Sequence, residues 1–170
     1  MATWTTTVKD WTAGEELTAA ALDAQLRDFA GSFGAFGSFT PTLTASTTNP
    51  TLGTGSTSSG RYGQTQKTVR GYFDITFGTS GTAAGSGTYN IALPVSASSN
   101  YNGQSIGRAT LFDSSGSSYG IIDIIPTGAT AVLRYAATWP FGTLTSVTHA
   151  APWAWSASDY IRGSFMYEAA

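Results

Sequence analysis

The chain has 170 residues, of which 41% are hydrophobic and 11% charged, and a net charge of −2. That length sets one domain with at most a short appendage. The apolar content excludes whole-chain disorder, and eight scattered basic residues exclude a nucleic-acid footprint or a polybasic membrane patch.

No cysteine is present, so a disulfide scaffold, a thiolate zinc site and a cysteine nucleophile are excluded. No apolar run approaches the roughly 20 residues that span a bilayer, so no membrane insertion is expected. The opening residues lack the basic start and apolar stretch of a secretory signal. The charge content is low against about 25% in ordinary soluble domains. Such a chain either covers itself with Ser, Thr, Asn and Gly or hides surface against partners.

Residues 1–36 form one block. Trp4 and Trp11 flank a polar stretch, and Thr18 is a suitable N-cap for a helix over 19–30. Leu22, Leu26, Phe29, Phe33 and Phe36 recur at heptad-like steps, and Gly31 stops the helix. A lone helix of this length is marginal in water. It must dock on its own β domain, on symmetry mates or on another protein. Trp4, Trp11, Leu22, Leu26, Phe29 and Phe33 are therefore the candidate anchoring residues.

Residues 37–60 are rich in Gly, Ser, Thr and Pro. A first strand is predicted over 40–46, then a long polar loop over 47–60. From Arg61 onward the pattern is β. Val69, Gly71, Phe73, Ile75 and Phe77 alternate with Arg70, Tyr72, Asp74 and Thr76. Further strands are predicted at 89–93, 106–112, 119–125 and 129–135, and around Ile161, Phe165 and Tyr167. Short strands at this spacing, parted by turn residues, predict an antiparallel β-sandwich of jelly-roll type over 61–170.

Ile121, Ile122, Ile124 and Ile125 place apolar side chains on both faces of one strand. One face fills a core. The other is expected to meet a neighbouring subunit.

Residues for catalysis are sparse. The single histidine, His149, lies among small residues with no nucleophile-elbow pattern nearby. The ten carboxylates are spread singly, without the clustering of a calcium or glycosidase site. The glycines of 53–55 and 81–87 lack the downstream helix of a phosphate loop. No enzyme activity, cofactor or metal is expected. Trp139, Trp153 and Trp155 admit two readings. They pack a loop over one end of the domain or line a subunit contact, or they form a stacking platform for sugar rings.

Several segments resemble known proteins. Trp11 to Leu22 (WTAGEELTAAAL), followed by Leu26-Arg27-Asp28, resembles the opening of small virion proteins of tailed phages infecting actinobacteria. Those proteins commonly carry Asn where this chain has Asp23. The stretch Thr40 to Gly53 with Gly60-Arg61-Tyr62, and the ending Trp155 to Ile161 with Tyr167 to Ala170, are similar to segments of tail-fibre, minor tail and head-decoration proteins. The resemblance implies a virion protein, assembled in the host cytoplasm, with an attachment segment and a projecting, usually trimeric β domain. Tail association is the first expectation. A capsid decoration protein or head fibre, or a glycan-binding module for host attachment, are the alternatives. Expected partners are other copies of the chain, tail or capsid proteins, and possible host glycans. The resemblance transfers no catalytic residue.

Overall fold

A computed structural model describes residues 13, 14, 16, 18, 19, 36–101, 103–136 and 143–170. Except for Ala19, the helix expected over 19–30 lies outside the described residues. So do Trp4, Trp11, Leu22, Leu26, Phe29, Phe33 and Trp139.

The described chain is mainly β. Its strands are β1 (Gly37–Phe39), β2 (Leu43–Ala45), β3 (Thr57–Thr65), β4 (Thr68–Thr76) and β5 (Tyr89–Ala92). They continue with β6 (Gly107–Asp113), β7 (Ser118–Pro126), β8 (Thr130–Ala136), β9 (Leu144–Ser146) and β10 (Tyr160–Glu168). All pairings are antiparallel, in the order β1-β3-β4-β10-β6-β7-β8-β5-β2, and β9 shares one edge of β8 with β5. No helix among the described residues is long and apolar enough to cross a membrane.

The two outermost strands, β1 and β2, are consecutive in the chain. Nine strands laid flat would span about 38 Å. The link from Phe39 to Leu43 reaches about 14 Å at most. The sheet must therefore curl until its edges approach. Two hydrogen bonds mark the closure: Ser58 of β3 donates to the Pro41 carbonyl, and the Ala92 amide of β5 donates to the Thr42 carbonyl at 2.9 Å. The Phe39 ring reaches inward to Phe165 of β10, 6.0 Å between centroids, although β10 is three places away in the sheet.

The curl has a sequence cause. Inward-facing phenylalanines stand directly opposite glycines on neighbouring strands: Phe39 faces Gly60, Phe73 faces both Gly60 and Gly163, and Phe165 faces both Gly71 and Gly107. A Cβ on Gly60 would lie 2.3 Å from the Phe39 ring, and one on Gly71 would lie 2.7 Å from Phe165. Without those Cβ atoms, the rings lie down over the backbone and the strands bend around them. The core also contains Val69, Ile75, Leu111, Ile122, Ile124, Leu133 and Ile161, all at most 1% exposed.

The alternation predicted for β4 is the alternation found: Val69, Phe73 and Ile75 are buried, and Arg70 and Tyr72 are exposed. The predicted loop over 47–60 is corrected in part. Its last residues, 57–60, begin β3, while Thr48, Thr51 and Thr54 bridge to Ser86, Ala83 and Ser80. β3 carries no apolar alternation because its inward positions include Ser58 and Gly60, and Phe39 fills the space above Gly60.

Candidate functional site: the outer face of the sheet

Alternation that sends Phe73, Ile161, Ala109 and Ile122 inward sends their neighbours outward. Register then aligns those neighbours in rows across β4, β10, β6 and β7. One row is Asp74, Arg162, Thr110 and Ile121; the next is Tyr72, Ser164, Arg108 and Asp123. On the other side stand Thr76, Tyr160, Phe112 and Tyr119.

A depression of about 750 Å³ lies over the first two rows, lined by Ser59, Tyr72, Asp74, Arg108, Thr110, Ile121, Arg162 and Ser164 among others. Its apolar walls are open to solvent: Tyr72 is 51% exposed and Ile121 71%. Its charged side chains are held in place. Arg162 Nε lies 2.6 Å from Asp74 Oδ2, and the Thr76 hydroxyl donates to Asp74 Oδ1 at 2.9 Å. Arg108 Nε approaches Asp123 Oδ1 at 3.5 Å, and the Ser105 hydroxyl donates to the same oxygen. These pairs are solvent-exposed, so they contribute little to stability and fix side-chain geometry instead.

Next to the depression runs an aromatic row. Phe112 packs on Tyr119 at 4.7 Å and, near parallel, on Tyr160 at 4.9 Å. The Arg162 guanidinium sits 4.1 Å from the centre of the Tyr160 ring. Burial, then the Tyr119 hydroxyl, pushes the Tyr160 phenol above its ordinary pKa. Residue 36 meets the sheet on this same face. Arg61 donates to the Phe36 carbonyl at 3.0 Å, the Arg70 guanidinium lies over the Phe36 ring, and that ring is 6.4 Å from Tyr72.

The residues singled out from sequence fall elsewhere. Ile122 and Ile124 lie in the chain's own core and Ile125 is buried as well, which removes all three from the expected subunit contact. β7 is an interior strand between β6 and β8; its inner face lies in the core, while Tyr119 and Ile121 on its outer face are exposed. Ile121 alone of the four is exposed.

Of the two readings of the tryptophans, Trp153 and Trp155 follow the packing one, and Trp139 lies outside the described residues. Trp155 is 6% exposed, stacked on Phe77 at 5.7 Å, and donates from its indole to the Thr148 carbonyl at 2.9 Å. Trp153 is half-buried, 6.0 Å from Trp155, with its indole over Gly120. Both rings pack against the core. His149 accepts from the Gly87 amide through Nδ1 at 3.2 Å and ties down that loop.

Sequence reading did not single out the outer-face aromatics Tyr72, Phe112, Tyr119 and Tyr160. Their signal was available: an aromatic at an outward position of a strand whose other positions are core. What this face offers chemically is recognition, through ordered charges, hydroxyls and apolar walls. No family model matches the chain, and no curated protein or solved structure matches it.

Proposed function

We propose that this chain is a structural protein of a tailed-phage particle, tail-associated, attached through residues 1–36 and projecting its β domain. The observation that carries the reading is where the sheet begins. The strand that closes it, β1, starts at Gly37, directly after the aromatic N-terminal block. All the described strands lie within residues 37–168, so the attachment role is assigned to the block that precedes them. The resemblance of both ends of the chain to virion proteins supports the same assignment.

We read the curled sheet as a sandwich-like domain, its facing sides wrapped around the phenylalanine rings of the core. We assign the contacts of a homotrimer to the N-terminal block, whose sequence carries a heptad-like stripe, since three of the four isoleucines of β7 are committed to the chain's own interior.

The test is deletion of residues 1–36. The remaining chain should keep its far-ultraviolet circular dichroism and cooperative melting. By light scattering it should be a monomer where the full chain is a trimer, and it should be missing from purified phage particles. Normal incorporation of the shortened chain overturns the attachment reading. Copy number per particle separates a tail component, at tens, from a capsid decoration protein, at hundreds.

A further inference from the structure

We propose that the depression on the outer face is a saccharide-binding site. A sugar ring has two chemical characters: flat C–H faces that prefer apolar contact, and a rim of hydroxyls that need partners in fixed directions. The depression presents both. Tyr72 and Ile121 stand as apolar walls on β4 and β7, three strand spacings or about 14 Å apart. A tyrosine ring of this exposure has a face on which a sugar can stack.

Between the walls lie the hydroxyls of Thr110 and Ser164 and the guanidinium of Arg162, which pairs with Asp74 beside Tyr72 on β4. A carboxylate accepts from sugar hydroxyls, and a guanidinium fork donates to them at fixed angles. Both are already held, Asp74 by Thr76 and Arg162 by Asp74 and the Tyr160 ring, so little side-chain freedom is lost on binding. The volume of about 750 Å³ is within the range of small-ligand sites, about 300–1,000 Å³.

A second copy of the chain fits this surface less well. The centre of a protein–protein contact is apolar and depleted of charge. Here Arg162, Ser164 and Thr110, on β10 and β6, separate the apolar side chains of Tyr72 on β4 and Ile121 on β7. The site does not depend on the protein's being a virion component.

The experiment is to apply the full chain to a printed array of bacterial surface polysaccharides and their oligosaccharide fragments. Wild type should bind. Tyr72→Ala and Asp74→Asn should each weaken binding at least about tenfold, while Tyr119→Ala, outside the depression, should not. All three side chains are on the surface, and circular dichroism verifies that each variant is folded. A wild-type protein that binds no printed glycan overturns the proposal, as do hits that Tyr72→Ala and Asp74→Asn leave unchanged. An oligomer that Ile121→Asp dissociates would show the face to be a subunit contact and would overturn it as well.

Discussion

Asp159 is fully buried, and its carboxylate is satisfied by backbone. The Ser114 amide donates to Oδ1 and the Ser156 amide to Oδ2, both at 2.8 Å. One side chain thus ties the β6–β7 turn to the segment entering β10. Asp159→Ala leaves two amides without partners, and a loss of about 2–4 kcal/mol is expected, read from the urea midpoint. Asp159→Asn should lose less, because one oxygen remains, but it turns an amide NH₂ toward a donor.

Two buried tyrosines set an alkaline limit. Burial pushes the Tyr89 phenol far above its usual value of about 10, with the Asp159 charge adding to it. Burial likewise pushes Tyr167 up to about 12. Their hydroxyls donate to the Ala84 and Val95 carbonyls at 2.6 Å. The unfolded chain ionises near pH 10 while the folded one keeps its protons. The stability they contribute is therefore complete below pH 10 and is lost as pH rises toward 12. Tyr167→Phe should cost about 1 kcal/mol at neutral pH and flatten the fall between pH 10 and 12 in a series of thermal melts.

At the scale of elements, opposed phenylalanines and glycines decide the curvature. A Cβ on Gly163 would lie 2.7 Å from the Ala109 Cβ and 2.8 Å from the Phe73 ring. Gly163→Ala is expected to cost about 1–3 kcal/mol as overpacking. Adding Phe73→Leu should recover part of that loss, and a double-mutant cycle by urea unfolding measures the coupling.

The same pattern explains what sequence reading could reach. β4 was legible because Val69, Phe73 and Ile75 alternate with polar side chains. β3 was not, because Ser58 and Gly60 take inward positions while the ring that fills the space comes from Phe39, some twenty residues earlier. The four isoleucines suggested a strand covered on both sides, whereas Ile121 is 71% exposed. They did not reveal that the cover for three of them comes from within the chain, because strand order is a long-range property that local spacing does not encode. The outer site was invisible for a related reason. Tyr72, Ile121 and Arg162 are distant in sequence and become neighbours only through the pairing of β4, β10, β6 and β7.

At the scale of the molecule, β10 holds the sheet together. It is last in chain order yet lies between β4 and β6, pairing nine residues with the first and six with the second. Removing residues 158–170 should separate β1-β3-β4 from β6-β7-β8-β5-β2 and abolish the cooperative transition altogether, rather than lower its midpoint. Thermal scans by circular dichroism distinguish the two outcomes. Loss of a peripheral strand such as β9, by contrast, should leave a recognisable transition.

The position of β10 also governs time. Tyr160 must find Thr76, and Glu168 must find Thr68, across most of the β domain. Pairings so distant in sequence are reached late in folding and make it slow. During synthesis, β4 and β6 would each wait with an open edge until residue 168 had left the ribosome, and open edges recruit other chains. The sparse charge of this sequence gives those edges little electrostatic protection. Newly made protein is therefore most vulnerable to aggregation in the interval between translation of β6 and arrival of β10. Slower synthesis upstream of residue 160 should raise the insoluble fraction, and faster delivery of the last strand should lower it.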